Sequence, residues 1–267
     1  GQKIQESQGS LLEYLVAMVM KSTGLEVMQK IIGASKLGSA ELIRYIQELD
    51  QFYKNEEGLV SVWKGEYHIQ SEEIDSLARG DEEAVESIAG TVAVRGGTKS
   101  LLSNRYYFQP NKTKALFAEY ARARIRNTGQ SRCTFLSQTP TLTPSFSLVR
   151  LYATENAVGK ILHDVSAVSM NTVMQRKCEE DLLVAATQTL FAIKAFKNDT
   201  GSYPASLNEL VPRYLSVVPQ DSFDGKPLKY SAEKKIVYSV GKDLQDSGGS
   251  TGNDWRQMSD PTFAINF

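Results

Sequence analysis

The stretch CEEDLLVAATQTLFAIKAFKNDTG, residues 178–201, decides how the chain is read. Within it Leu183, Ala186, Leu190, Ile193 and Lys197 recur at steps of three and four, the spacing that lines one face of an α-helix. Lys194 and Lys197 fall in the last turn, where a cation favours the helix dipole, and Gly201 supplies the stop. Ser206-Leu207-Asn208-Glu209 has the form of a capping box opening a brief helix toward Pro212. Two β runs follow, Pro227 to Tyr230 and Lys235 to Val240, with Ser231 to Lys234 as the hairpin turn. A Gly/Asp-rich loop, Gly241 to Asp254, leads to a last strand near Phe263 to Phe267. The tail therefore reads as a long helix followed by a small antiparallel sheet.

Upstream the pattern is helical. Thr154-Glu155 looks like a helix start with Ile161, Leu162 and Val165 on its face, and a second helix is expected from about Ala167 to Lys197. Leu11, Leu12, Leu15, Val16, Val19 and Met20 recur at helical spacing until Gly24, and a short helix follows through Val27, Ile31 and Ile32. Ser39 opens another, with Leu42, Ile43, Ile46, Leu49 and Tyr53 on one side. Leu59, Val62, Trp63, Ile69, Ile74 and Leu77 mark a segment from Glu56 to Ala78, whose acids, with Asp81, Glu82 and Glu83, read as a solvated face. Residues 89–104 are looser. Pro110 sits in the first turn of a strong helix through Ile125, as proline prefers. The Thr/Ser/Pro-rich run from Thr128 contains no acid until Glu155 and reads as a linker or long loop. The organisation predicted is a helical region over 1–127, a linker over 128–153 and a helix-plus-β module over 154–267. The fold class is α+β, mostly α-helical.

The 267 residues carry 30 Lys+Arg against 31 Asp+Glu, a net charge of −1, so nothing in the charge balance points to nucleic acid. At 41% hydrophobic and 23% charged, the composition is that of a globular protein. The chain opens Gly1-Gln2-Lys3 without a Met, which reads as a cut end from which a signal peptide or membrane anchor has been removed. Leu15 to Met20, the most apolar run, is far short of the ~20 residues that span a bilayer and reads as core or a helix packing face. Cys133 and Cys178 read as two separate buried thiols, although in an exported chain they could pair. No Cys/His spacing suggests zinc.

The tail carries an ordered series of motifs: Asn198-Asp199-Thr200-Gly201-Ser202-Tyr203-Pro204, then Pro219-Gln220-Asp221, Asp224-Gly225-Lys226-Pro227, and Tyr238-Ser239-Val240-Gly241-Lys242-Asp243. Over roughly residues 170–260 this resembles the soluble part of the type II secretion major pseudopilins. Ser222 and Phe223 stand where that family usually has Pro and Trp. The whole chain is also similar to a group of bacterial proteins with an N-terminal membrane anchor and this same ending, a likeness that carries no activity with it. The resemblance implies an extracytoplasmic address, periplasmic or in the cell envelope. It also implies calcium in the Gly/Asp loop.

Read from the residues, Asp243, Gln245, Ser247, Gly248 and Asp254 sit at positions 1, 3, 5, 6 and 12 of an EF-hand-like loop, with Asp246 and Asn253 as neighbours. Hard oxygen donors at alternate positions suit Ca²⁺. The competing reading is a surface loop whose aspartates cap turns. A pseudopilin uses its N-terminal apolar helix as anchor and filament spine. Here some 150 residues precede the corresponding helix, so Leu182 to Phe196 is expected to be core.

Catalytic patterns are missing. Arg95-Gly96-Gly97-Thr98-Lys99-Ser100 fails the spacing of a phosphate loop. Ser61-Val62-Trp63-Lys64 lies inside a helix without partner motifs. His68 and His163 stand far apart. Glu179-Glu180-Asp181 reads as the beginning of a helix turn, favouring its dipole or solvent, and Arg122, Arg124 and Arg126 as solvated. The expectation is a membrane-tethered, non-enzymatic binding or assembly protein with a protein partner. A secretion-filament subunit is the alternative, and an extracytoplasmic hydrolase with a deep carboxylate-lined or Ser/His pocket the more distant one.

Overall fold

The computed structural model describes residues 11–53, 57–89, 98–128, 133, 153–252 and 254–267. The linker expected over 128–153 falls almost wholly outside the described residues, as do Arg95 to Gly97 and Asn253. The architecture is α+β: seven described helices and, after the longest, a three-stranded antiparallel sheet.

The helices are α1 Leu11–Ile32, α2 Ser39–Tyr53, α3 Glu57–Arg79, α4 Glu82–Ala89, α5 Thr98–Ser103, α6 Pro110–Thr128 and α7 Ala157–Thr200. Two expected breaks are absent. Gly24 does not interrupt α1, since one helical glycine costs only about 1 kcal/mol and packing of the other turns outweighs it. The expected helix pair around Val165 is a single α7, 44 residues long, because no Gly or Pro lies between Val165 and Ala167.

α7 starts later than Thr154. Buried Asn156 holds φ 55 at its N-cap, and its Oδ1 accepts from the Gln109 amide (2.8 Å) and Thr113 Oγ1 (3.1 Å), fastening the start of α7 to the start of α6. Its end is the expected one: Gly201 adopts φ 76 and donates its N–H to the Lys197 carbonyl. Lys197 Nζ donates to the chain's last carbonyl, Phe267 (2.8 Å), and to Tyr203 Oη (3.0 Å).

The middle of α7 is buried on nearly every side, with Asp181, Gln188 and Lys194 half-exposed. Leu182, Leu183, Ala186, Leu190 and Ile193 pack with Leu25 and Ile32 of α1, Leu42, Ile46 and Leu49 of α2, and Leu210, Phe223, Val237 and Phe263 of the tail. Each such Leu or Ile contributes roughly 1.5–3 kcal/mol by leaving water. The segment Leu182 to Phe196 is thus core, as expected. A second cluster joins Ile74, Leu77, Val85, Leu101, Phe108 and Phe117 to Val158 and Ile161 at the start of α7. A third joins Tyr14, Met18, Leu59 and Trp63 to Val173 and Met174.

Leu207–Leu210 is a 3₁₀ turn without the expected capping box: Ser206 makes no side-chain cap, and Glu209 Oε1 accepts from the Ala205 amide, one residue ahead of the N-cap. The strands are β1 Lys229–Ser231, β2 Ile236–Tyr238 and β3 Thr262–Ala264. β2 is central, pairing Tyr230 with Val237 on one side and Val237 with Phe263 on the other. Gly33, after α1, lies so close to the C-terminal strand region that a Cβ there would come within 2.5 Å of the Asn266 carbonyl oxygen.

Cys133 and Cys178 form a disulfide with Cα atoms 6.1 Å apart. This corrects the reading of two separate thiols. The bond is framed by Ser222, whose carbonyl accepts from the Cys133 amide and whose hydroxyl donates to the Cys178 carbonyl, both at 2.8 Å.

Candidate functional site

The loop between β2 and β3 is folded over a single acid. Asp260 is fully buried, and its Oδ2 accepts from the backbone N–H groups of Ser247 (2.8 Å) and Gly249 (2.9 Å). Its own amide donates to Ser250 Oγ at 3.0 Å. The loop can wrap so tightly because Gly248 and Gly249 take φ 81 and 86, and a Cβ on Gly249 would approach Ile236 Cδ1 to 2.6 Å. Asp260 Oδ1 has no hydrogen-bond partner, so this carboxylate keeps acceptor capacity for one more donor or a cation.

Asp246 sits beside it. Its Oδ1 accepts from the Gly248 amide (3.1 Å) and Tyr238 Oη (3.2 Å), and its Oδ2 lies 3.2 Å from Lys229 Nζ. The bond from Lys229 is the main reason that its carboxyl is held below the usual range. Burial first, then Asp246 and, more weakly, Asp260 push the Tyr238 phenol up, which places both acids around that hydroxyl. Lys234 Nζ donates to the Gly248 carbonyl at 2.7 Å.

The other sequence-derived ligand positions serve local turns. Asp243 Oδ1 accepts from the Gln245 amide at 3.0 Å. Ser247 contributes its backbone N–H, to Asp260. Asp254 caps the 3₁₀ turn Trp255–Gln257, accepting from the Arg256 amide and from Gln257 Nε2, both at 3.1 Å. Asp243, Ser247 and Asp254 thus each make a bond of their own within the loop or the turn after it. Among the described residues no three His, Cys, Asp or Glu side chains come together as a metal cluster. Asp260 is the residue the loop pattern missed. Its signal was positional, an acid directly ahead of the last strand and outside a twelve-residue window.

A second polar cluster lies inside the bundle. Glu180, 1% exposed, has Oε1 at 2.8 Å from Lys21 Nζ of α1, while its Oε2 has no hydrogen-bond partner. Lys177 pairs with Asp181 on the next turn of α7, and Lys21 lies over the Tyr53 ring, 4.2 Å from its centroid. Burial, opposed by Lys21 and Lys177, holds the Glu180 carboxyl above its usual range. The expectation that Glu179-Glu180-Asp181 begins a helix turn and favours its dipole or solvent is thus corrected. The run is in mid-helix, and α1 covers its central member. Glu179, also buried, takes Arg176 (3.0 Å) and Lys242 (3.3 Å).

Next to this cluster a groove of about 480 Å³ opens between α2, α7 and residues 212–220. Ile43, Ile46 and Val184 supply apolar lining, Asp50, Tyr53 and Asp181 one polar end, and Arg213 another polar group. Asp181 is already bound by Lys177, and no histidine is among the lining residues.

The chain matches no family model, no curated protein and no solved structure. The assignment of function accordingly rests on the chain's own chemistry. His163 is wedged between the rings of Phe117 and Tyr120 and bonded to Asp164 (3.1 Å), and His68 is exposed on α3. Arg122 and Arg126 are exposed, but Arg124 is buried, donating to Asn171 and stacked over Tyr120. This corrects the reading of three solvated arginines: the side of α6 that turns from Arg122 and Arg126 faces α7. Among the described residues no helix is long and apolar enough to cross a membrane.

Proposed function

We propose that this is a non-enzymatic, membrane-tethered binding or assembly protein held outside the cytoplasm, with a C-terminal module of the pseudopilin kind. The observation that carries this reading is the closed tail, in which one long helix ends at Gly201, a small antiparallel sheet follows, and a glycine-rich loop folds over a buried acid. The Cys133–Cys178 disulfide supports the address, since such bonds persist in oxidising compartments and are rare in cytosolic chains. Burial of Leu182, Leu190 and Ile193 favours binding or assembly over the filament reading, because a spine helix has to present that surface to other subunits.

In this reading the Gly/Asp loop takes calcium. Asp246 and Asp260, whose Oδ1 is without a hydrogen-bond partner, supply its charge. The test is a thermal melt with calcium or with a chelator, on the parent chain and on Asp260→Asn. At a hundredfold excess over the dissociation constant, calcium is expected to add roughly 2.7 kcal/mol to the parent. It is expected to add nothing to Asp260→Asn, which keeps an acceptor for the loop amides but loses the charge. An identical midpoint for the parent in calcium and in chelator would dismiss the site.

A further inference from the structure

We propose that the groove between α3, α4 and the paired helices α6 and α7 is a docking site for a basic amphipathic helix of a partner protein. The groove, about 510 Å³, has an apolar floor of Ile74, Leu77, Ile88, Phe117 and Leu162 and an acidic rim of Glu72, Glu73, Asp81 and Glu83. No Lys, Arg or His is among its lining residues. Ile69, which also lines it, is 42% exposed, so the apolar surface reaches solvent at the groove's edge.

The rim is charged beyond what the fold needs. Arg79 pairs with Asp81 (2.9 Å), Lys99 with Glu82 (3.3 Å) and Lys114 with Asp75 (2.6 Å). Glu72, Glu73 and Glu83 are exposed and have no ion-pair partner among the described residues. Glu83 lies in the first turn of α4, where the helix dipole favours an acid, but Glu72 and Glu73 lie inside α3 and gain nothing from its ends. Burial, reinforced by the charge of Glu73, holds the Glu66 carboxyl one turn back on α3 above its usual range. Like charges are thus kept together beside an apolar floor, with no cation among them.

This charge pattern selects the occupant. A ligand with an apolar strip fills the floor, and cations on its flanks meet the rim, which is the pattern of a basic amphipathic helix laid between helices. α3 lines the groove from Ile69 to Leu77, about 12 Å, which is room for two turns of such a helix. An anionic lipid surface or a nucleic acid would be repelled by the same rim. A second copy of the chain offers no match among its described residues, since its exposed apolar helix stripe, on α1, carries Glu13 and Glu26 as well as Lys21 and Lys30 and has no basic excess. The groove shares no residue with the Gly/Asp loop, so it stands whether or not that loop takes a metal.

The probe is a fluorescein-labelled model helix of about 15 residues, with leucines along one face and lysines on both flanks. In fluorescence anisotropy it is expected to bind the chain in the micromolar range, and its counterpart with glutamate for every lysine not at all. Glu72→Gln/Glu73→Gln/Glu83→Gln is expected to weaken binding at least about tenfold. Ser87→Trp, which crowds the groove without changing its charge, is expected to do the same. Both variants should keep the helical circular dichroism, because all four positions are exposed. Glu86→Gln, an acid of α4 outside the groove, leaves binding unchanged. No binding up to about 0.1 mM of the chain would overturn the proposal. So would binding that survives both groove variants, or that is lost with Val16→Gln on α1 instead. Displacement of the helix by micromolar spermine would overturn it too, making this a site for a free polyamine.

Discussion

Glu180 shows how much of this protein's polar chemistry is settled by single partners from elsewhere in the chain. Its carboxyl is pushed up by burial and pulled back chiefly by Lys21, while the Lys21 ammonium is pulled down by the same burial and supported by Glu180. Burial alone would lower Lys177 too, but Asp181, Tyr14 and Glu180 together outweigh it and raise that group. Removing one member is then far more costly than removing the pair, since a lone charge stays in the interior. Lys21→Met is expected to cost about 3–5 kcal/mol near neutrality, and Lys21→Met/Glu180→Leu to recover most of that. The pH dependence has a definite sign. A carboxyl whose folded-state pKa lies above the ordinary 4.5 holds its proton longer in the folded than in the unfolded chain. Its contribution therefore falls as pH rises from 4.5 through the raised value. Lys21→Met raises that value further, so the variant should lose stability more steeply than the parent between about pH 5 and about pH 8. Urea unfolding at the two pH values measures this, and a loss under about 1 kcal/mol for the single variant would show that water reaches the site. None of this was legible from Glu179-Glu180-Asp181 read along the chain. The sequence shows three acids in a row, and only the packing of α1 on α7 decides which one is taken out of water.

The elements themselves were more legible, and the exceptions share a cause. Ser39, Pro110 and Gly201 mark helix ends by local chemistry, and the structure starts or stops α2, α6 and α7 there. The breaks expected at Gly24 and near Val165 rested on weak signals that tertiary packing overrides. In the tail, the hairpin was readable from its apolar runs. The role of Asp260 was not, because its amide partners lie up to 13 residues away in the chain. The disulfide was open for the same reason: Cys133 and Cys178 are separated by 45 residues, and spacing says nothing about whether their Cα atoms meet. Closing a loop of that size restricts the unfolded chain by up to roughly 4 kcal/mol on the chain-entropy account. Reduction should therefore lower the urea midpoint by the corresponding amount, and Cys133→Ala/Cys178→Ala should match the reduced parent. A shift worth less than about 1 kcal/mol would mean that the reduced, unfolded chain keeps residual structure that already restricts this loop.

For the molecule as a whole, the division into a helical region and a C-terminal module describes the order of elements but not the core. Leu25, Ile32, Leu42 and Ile46 from the first two helices belong to the same apolar cluster as Leu190, Phe223 and Phe263. α7 also reaches back through Val173 and Met174 to Trp63, and through Val158 and Ile161 to Phe117. A helix that belongs to all three clusters couples them, so unfolding is expected to be a single transition. The two tryptophans are placed to test this. Trp63 is 1% exposed in the cluster of α1, α3 and α7, and its Nε1 has no acceptor. Trp255 packs on Phe263 of β3 and donates to Glu26 of α1 at 3.3 Å. Trp63→Phe discards an unsatisfied donor but leaves a cavity in a packed cluster, at a cost of about 1–3 kcal/mol, and keeps Trp255 as a reporter of the tail. Trp255→Phe leaves Trp63 as a reporter of the helical half, at the cost of one bond to Glu26. After correction for each variant's own stability by circular dichroism, the two fluorescence midpoints should coincide with the loss of helix. If Trp255 fluorescence changed well before Trp63 fluorescence, the tail would be a separate cooperative unit, and α7 would act as a linker between two cores rather than the axis of one.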